Sequence, residues 1–337
     1  MRLSLKDIAK ALNVSKTTVS WVLAGQGDKR KISLSTQEKV LAYARKVNYQ
    51  PNLLARSLTN GSSFTLGLVI PSIGDEFYAH IAREIEMEAE KYNYSLTFCS
   101  SEADPERESK IIRMLKSKRV DGLIIAPTKH SRKELDILIE EKYPFVLIDR
   151  YFPELDTNYI ILDNEGSSHR LVTRLIRDGR KKIALITSDT HLLVMNLRRD
   201  GYRRALSEAG LPVIPALYGE VKRSEYETDI VRVLDGIFAE VPDVDGFYFA
   251  THYLAMEALR YFYRNGVDIT AKVGLACLHT MSSFEILAPR MYIVEQPIRD
   301  IGQQAVQILV SELENADDSK KMQTKKKLVL PAIMNFS

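Results

Sequence analysis

What the chain lacks narrows its function first. It has two cysteines, Cys99 and Cys277, far apart and in no metal-ligand spacing. That excludes a zinc site and a disulfide framework and fits a reducing cytoplasm. No apolar run approaches the ~18 residues that a membrane span needs. The opening MRLSLKDIAK has no apolar h-region of a secretory signal. A cytoplasmic location without membrane contact is therefore expected. Catalytic signatures are missing too: there is no Walker loop, G-x-S-x-G, H-E-x-x-H or Rossmann fingerprint, and Gly25-Gln26-Gly27 has no third glycine at Arg30. Histidines and carboxylates are scattered singly, with no legible triad. The expectation is no catalytic residue, no metal, no cofactor and no enzymatic activity.

What is present is unevenly placed. The 337 residues, 45% hydrophobic and 27% charged, suggest two or three soluble globular domains. Among residues 1–60, eleven Lys or Arg stand against three Asp or Glu, a net of +8; with +3 for the whole chain, the remainder carries −5. A basic head on a mildly acidic body points to a polyanion partner for the head, although a solvated helical surface would share that charge.

The head reads as short helices. Ser4-Leu5-Lys6-Asp7 has the form of a capping box. Leu5, Ile8, Ala9 and Leu12 then recur at helical spacing. Asn13 falls at a sharp turn, where Asn tolerates positive φ. Ser15 caps a second helix with Val19, Val22 and Leu23 inward. At roughly 100° per residue, Thr17 and Trp21 lie on the opposite face. Burial is the ordinary fate of a lone Trp, and here the helical angle argues against it. A second helix with a polar outer face presents its N-terminal residues to base edges, so Ser15, Lys16, Thr17, Ser20 and Trp21 are contact candidates. Lys29, Arg30 and Lys31 in the Gly25–Ile32 loop suit backbone phosphates. Ser35-Thr36-Gln37-Glu38 reads as a capping box opening a third helix, with Val40, Leu41, Ala44 and Val47 inside. Pro51–Leu58 follows, a helix of one or two turns that needs a partner to fold. Its Leu58 suits an apolar wedge between minor-groove base steps.

After Asn60–Ser63 the pattern becomes alternating α/β. Apolar runs at 65–70, 94–98, 121–126 and 145–149 are separated by amphipathic helix-length stretches such as Phe77–Tyr92 and Pro105–Lys118. The rhythm repeats at 182–187, 246–250, 272–277 and 292–296. Such alternation builds parallel sheets covered by helices, and two such lobes suggest a cleft for a small ligand. Residues 315–327 read as a polar surface loop.

The combination resembles the lactose-repressor (LacI-type) family of bacterial transcription regulators. It is carried by LKDIAKALNVSKTTVSWVL, NYQPNLLARSL, LGLVIPSIGDEFYAHIAREIE, DPERE, VDGLIIAP, LRRDGYRRALSEAGLP and EQPIRDIG. The resemblance implies an α + α/β fold: a three-helix helix-turn-helix headpiece at 1–49, a hinge helix and linker at 50–62, and two tandem doubly wound α/β lobes of the periplasmic-binding-protein type at 63–337. It implies a cytoplasmic homodimer on a pseudo-palindromic double-stranded DNA operator, acting as a repressor under a small, carbohydrate-related effector. The chain stops without a tetramerisation tail, which fits a dimer. Lys6, Thr18, Ser33, Asn52, Ala55 and Leu58 complete the DNA-contact set, with Leu58 where the family's intercalating leucine stands. Arg198 stands where the family's effector-binding arginine stands, and Phe77, Tyr78, Asp149, His252 and His279 join it in the candidate cleft.

Several positions depart from the family pattern. Trp21 replaces the usual Arg and Asn13 the turn glycine. Thr251-His252 replaces an Asn-Asp pair, and His279 occupies the sugar-binding aspartate position. Leu192 and Val194 stand near positions that often carry hydroxyls, and Val221 stands where an aromatic lid often lies. Arg198, His252 and His279 suit an anionic ligand such as a sugar acid or sugar phosphate. The alternatives are a regulator with a degenerate pocket, whose histidines only fill core hydrogen bonds, and a solute-binding protein. Phe77 and Tyr78 suit either stacking on a ligand or core packing.

Overall fold

The structure, a computed structural model, describes residues 4–23, 25–49, 62–189, 192–268, 273–315 and 324–335. The chain divides into two compact units, Met1–Ser63 and Phe64–Ser337.

In the first unit, α1 (Leu5–Leu12), α2 (Lys16–Leu23) and α3 (Leu34–Lys46) close a small core. Ser4 and Asp7 form the capping box, with the Ser4 amide donating to Asp7 Oδ2 at 2.8 Å. Asn13 ends α1 in the left-handed region, φ 54°, which turns the chain into α2. Ser15 Oγ accepts from the Thr18 amide at 2.9 Å. Ile8, Ala9, Val19, Val22 and Val40 form the core, flanked by Leu5, Leu12, Leu23, Ile32, Tyr43 and Tyr49.

Two expectations about α3 need correction. Its N-cap is Ser33, whose Oγ accepts from the Thr36 amide, rather than Ser35. Leu41 is 40% exposed, because the inward stripe runs through Val40, Tyr43 and Ala44, and the next residue after Val40 is turned about 100° away from it. Asn52, Ala55 and Leu58, with all of Pro51–Leu58, lie outside the described residues, as do residues 316–323 of the expected polar loop.

The second unit holds β1 (Thr65–Ile70), α4 (Glu76–Lys91), β2 (Ser95–Ser100), α5 (Pro105–Ser117), β3 (Gly122–Ile125), α6 (Arg132–Glu140), β4 (Phe145–Ile148) and β5 (Asn158–Leu162). It continues with α7 (Asn164–Arg177), β6 (Ile183–Ser188), α8 (Leu193–Glu208), β7 (Tyr218–Val221), α9 (Tyr226–Glu240), β8 (Gly246–Phe249), α10 (His252–Arg264), β9 (Gly274–Cys277), α11 (Phe284–Leu287), β10 (Tyr292–Glu295), α12 (Ile298–Glu314), β11 (Lys327–Leu330) and β12 (Ile333–Asn335). The strands make two six-stranded sheets, ordered β11-β5-β4-β3-β1-β2 and β12-β10-β9-β8-β6-β7. Among the described residues all pairings are parallel except β10 with β12.

The two lobes are not simply sequential. The chain leaves the first after β5, returns to it for α12 and β11, and ends in the second with β12. Ile301, Ala305, Val306 and Leu309 of α12 share a core with Leu66, Leu68, Ile81 and Ile85. This third passage is why 296–298 and 331–332 are crossovers, which the α/β rhythm alone does not disclose. The expected strand runs fit to within a residue or two, with β9 shorter than 272–277.

Candidate ligand cleft and nucleic-acid interface

In a parallel α/β sheet the residues just past the carboxyl ends of the strands face the ligand crevice. Here those ends from both lobes converge: Pro71 after β1, Thr128 near β3, Asp149 and Arg150 after β4, Asp189 after β6, Thr251 and His252 after β8, and His279 near β9. They line a cleft of about 890 Å³, toward the upper end of typical ligand sites. All six expected cleft residues, Phe77, Tyr78, Asp149, Arg198, His252 and His279, line it.

Arg198 lies on the floor, only 2% exposed. It is placed by the crossing of α7 and α8, where a Cβ at Gly201 would stand 2.2 Å from the Glu165 carbonyl oxygen. That approach lets Arg198 Nε donate to Asn164 Oδ1 at 2.8 Å and Nη1 to the Ala250 carbonyl at 2.7 Å. Both acceptors are neutral, and among the described residues Arg198 forms no ion pair. Burial draws its pKa below the ordinary arginine value.

Asp149 sits in the left-handed region at φ 63°, an uncommon backbone for a residue with a side chain. Its carboxylate accepts from Tyr78 Oη at 2.7 Å and lies 3.3 Å from Arg150 Nε. Burial, reinforced by the Asp149 charge, pushes the Tyr78 hydroxyl well up, so it stays a donor. Across the cleft, His252 Nε2 lies 3.3 Å from Asp75 Oδ1. Asp75 also caps α4, accepting from the Phe77 amide at 3.0 Å. Burial opposes the ionised Asp75, but His252 and the Phe77 amide outweigh it and hold the carboxyl below its usual range.

His279 is neutral. Burial, then the charges of Arg198, His252 and Arg150, hold its pKa well below the ordinary histidine value. Gln296 Nε2 lies 2.8 Å from its Nε2, and Phe77 packs edge-on at 5.1 Å. It therefore brings no positive charge to the cleft; Arg150, Arg198 and Arg223 do. Val221 is fully buried in the core of the second lobe. The aromatic rim comes instead from Tyr226 and Tyr253, with the Arg223 guanidinium 4.0 Å from the Tyr253 ring centroid.

Sequence reasoning missed Asp75, Arg150, Asn164 and Arg223. Asp75 and Arg150 were findable, since Asp75 stands two residues before the expected contact Phe77 and Arg150 directly follows Asp149. Asn164 and Arg223 were not, because only the fold brings them to the site. Among the described residues there is no group of three or more His, Cys, Asp or Glu able to hold a metal ion. No described helix is long and apolar enough to cross a membrane.

In the headpiece, Lys6, Ser15, Lys16, Thr17, Ser20, Lys29, Arg30, Lys31 and Ser33 are exposed, and Thr18 and Trp21 are half-buried. The Ser15 and Ser33 hydroxyls are engaged as caps. Trp21 is not among the core residues; the Arg30 guanidinium lies 4.9 Å from its ring centroid.

Comparison with known proteins agrees with this division. Residues 4–52 match the model of bacterial regulatory proteins of the lacI family, and residues 63–329 match that of periplasmic binding proteins and the sugar binding domain of the LacI family. The HTH-type transcriptional regulator RegA of Clostridium acetobutylicum is 30% identical over 94% of both chains. The HTH-type transcriptional regulator DegA of Bacillus subtilis is 27% identical over 98% of this chain and 96% of its own. The ribose operon repressor of Halalkalibacterium halodurans is 28% identical over 97% and 96%. Among solved structures, the lac repressor dimer bound to operator and the anti-inducer ONPF superposes with a TM-score of 0.83 at 21% identity, covering 99% of this chain and 98% of that one. A complex of the transcriptional regulator CelR with cellobiose gives 0.71 at 23%, with the same coverage. A headpiece match and a body match in this order separate the chain from a plain solute-binding protein: it belongs to the lacI family of bacterial regulatory proteins and is a helix-turn-helix transcription regulator with a sugar-binding-type body.

Proposed function

We propose that this chain is a cytoplasmic, homodimeric repressor, not an enzyme, that binds a pseudo-palindromic operator and is controlled by a carbohydrate-related effector carrying an acidic group. The observation that carries the ligand class is Arg198. A buried guanidinium whose hydrogen bonds go only to neutral acceptors, with the Asp149 charge acting on it without an ion pair, is incompletely compensated, and burial of such a charge is costly. A carboxylate or phosphate on the ligand supplies the missing counter-charge. The start of α10 supports the same reading. It opens at the cleft, and the Thr251 hydroxyl at its N-cap is buried without a hydrogen-bond partner, leaving amide donors for an anion. Asp75, Asp149 and Tyr78 are placed for the sugar hydroxyls.

The test is thermal melting of the full-length protein with sugar acids and sugar phosphates, each beside its neutral parent sugar. Stabilisation by the acidic members, lost in Arg198→Gln, is expected. Stabilisation by neutral sugars alone would remove the acidic requirement. Turnover of any ligand that binds would overturn the non-enzyme reading.

On the DNA side, Ser15 at the cap of α2 and Lys16, Thr17, Thr18 and Ser20 within it read the major groove, while Lys6, Lys29, Lys31 and Ser33 meet the backbone. Asn52, Ala55 and Leu58 belong to a hinge at 50–62 that joins a headpiece at 1–49 to a body at 63–337 and contacts the minor groove. Phe98 on edge strand β2, with Tyr263 and Ile286, leaves apolar surface for a second copy; they are 51%, 89% and 83% exposed. The effector acts by changing the angle between lobes and so the spacing of the paired hinges. Phosphate neutralisation makes operator affinity fall steeply with salt; affinity unchanged between low and moderate salt is the result that would sink operator binding.

A further inference from the structure

The loop after α2 is a built feature rather than a loose basic tether. Its amides fold it back on itself: Gln26 N donates to the Trp21 carbonyl at 2.9 Å, Arg30 N to Gln26 O at 3.0 Å, and Ile32 N to Gly27 O at 2.9 Å. Gln37 of α3 then clamps it, its Nε2 donating to Asp28 Oδ1 at 2.9 Å and to the Ile32 carbonyl at 2.8 Å. Gly27 is buried under that clamp, where a Cβ would meet Gln37 Cδ at 2.2 Å. The clamp occupies the Asp28 carboxylate, and Arg30 forms no ion pair among the described residues. The fixed backbone leaves the Arg30 guanidinium over the Trp21 ring, 4.9 Å from its centroid.

We infer that Trp21 and Arg30 form one base-reading unit, in which the indole is a platform that presents the Arg30 guanidinium to a guanine in the operator's major groove. A guanidinium stacked on an aromatic face keeps its in-plane donors free, and that planar fork matches guanine O6 and N7. The platform stands on the outward side of α2, so the guanidinium enters the groove with the helix. Stacking also limits the side-chain freedom that an exposed arginine loses on binding. Among the described residues Lys29 and Lys31 have no such platform, and neither carries a fork; they suit phosphates. The inference rests on the operator-binding reading above and sharpens it by moving Arg30 from the phosphate backbone to a base.

The test is selection of bound duplexes from a randomised library by the full-length protein, comparing wild type with Arg30→Ala, Arg30→Lys and Trp21→Ala. Wild type is expected to enrich guanine at one position of each half-site, by on the order of ten-fold or more over other bases. Arg30→Ala and Trp21→Ala should both lose that preference and keep the others. Arg30→Lys should lose it while keeping the salt dependence, because the charge remains and the fork does not. The inference is overturned if Arg30→Ala lowers affinity equally for all duplexes, leaves every base preference intact and makes the salt slope shallower by about one, the mark of a phosphate contact. It is also overturned if Trp21→Ala leaves the Arg30-dependent preference unchanged while far-ultraviolet circular dichroism shows the variant folded. Failure of wild type to enrich any sequence is a different result, and it sinks operator reading as a whole.

Discussion

His252 Nε2 and Asp75 Oδ1 meet at 3.3 Å across the cleft, joining the first turn of α10 in one lobe to the N-cap of α4 in the other. The next two residues of α4 cross as well: Glu76 Oε1 accepts from the Ser282 amide at 3.3 Å, and Phe77 packs on His279. Three successive residues thus hold one side of the cleft closed. Because the folded state holds the Asp75 carboxyl below its usual range, its contribution to stability is fully present above the unfolded value of about 4. That contribution disappears as pH falls through the lower, folded value. Asp75→Asn keeps an oxygen to cap α4 and removes the charge. The melting temperature of wild type should therefore drop more steeply in acid than that of Asp75→Asn, and parallel curves would show that this carboxylate carries no acid-linked stability.

The neutral state of His279 makes a second prediction. With its pKa held well below the ordinary histidine value, its ring protons should show no titration midpoint at that ordinary value by NMR. The pH dependence of effector affinity should likewise be the same in wild type and His279→Gln. A midpoint near 6.5 for His279 would mean that the ring is solvated and charged in solution.

Gly201 carries a third. The Cβ of Gly201→Ala would lie 2.2 Å from a backbone oxygen of α7, and backbone cannot step aside as a flexible side chain can. Separating the helices also pulls Arg198 from Asn164. Overpacking of this kind costs about 1–3 kcal/mol, so the urea midpoint of the body should fall and effector affinity should fall with it. An unchanged midpoint would show that α7 and α8 have room to part.

The elements and the cleft residues were readable for different reasons. Strands and helices of the body announce themselves by local alternation, and the helix caps at Ser4 and Ser15 by residue type. The six cleft residues came from a family resemblance; the fold explains Asp149, His252 and His279 as strand-end positions and brings Phe77 and Tyr78 from α4 and Arg198 from α8. What could not be read is what non-local packing decides. The return of α12 to the first lobe depends on its apolar face fitting beside α4, and nothing in Ile298–Glu314 names its partner. Asn164 and Arg198 are brought together only by a helix crossing at Gly201. The clamp of Gln37 on Gly27 likewise spans two elements, so the loop at 25–32 looked like a simple basic connection. Residue type alone left His279 either facing an anionic ligand or filling a core hydrogen bond; its burial, which no local pattern announces, keeps it neutral.

Position on α3 gives the last prediction, and the chain has its own probe for it. Trp21 is the only tryptophan, so intrinsic fluorescence of the full-length protein reports on the headpiece and not the body. Val40 is fully buried in the three-helix core, whereas Leu41 is 40% exposed. Val40→Ala removes two buried methyl-sized groups at about 0.8 kcal/mol each and adds the cost of the space left behind, for a loss of about 2 kcal/mol. Leu41→Lys exchanges one exposed side chain for another on an outer helical face and should stay within about 0.5 kcal/mol of wild type. Denaturant titration followed by Trp21 emission should therefore show an early headpiece transition in Val40→Ala and none in Leu41→Lys. If Leu41→Lys proved the more damaging of the two, the inward stripe of α3 would run through Leu41, and the packing of Tyr43 against the three-helix core would have to be rotated with it.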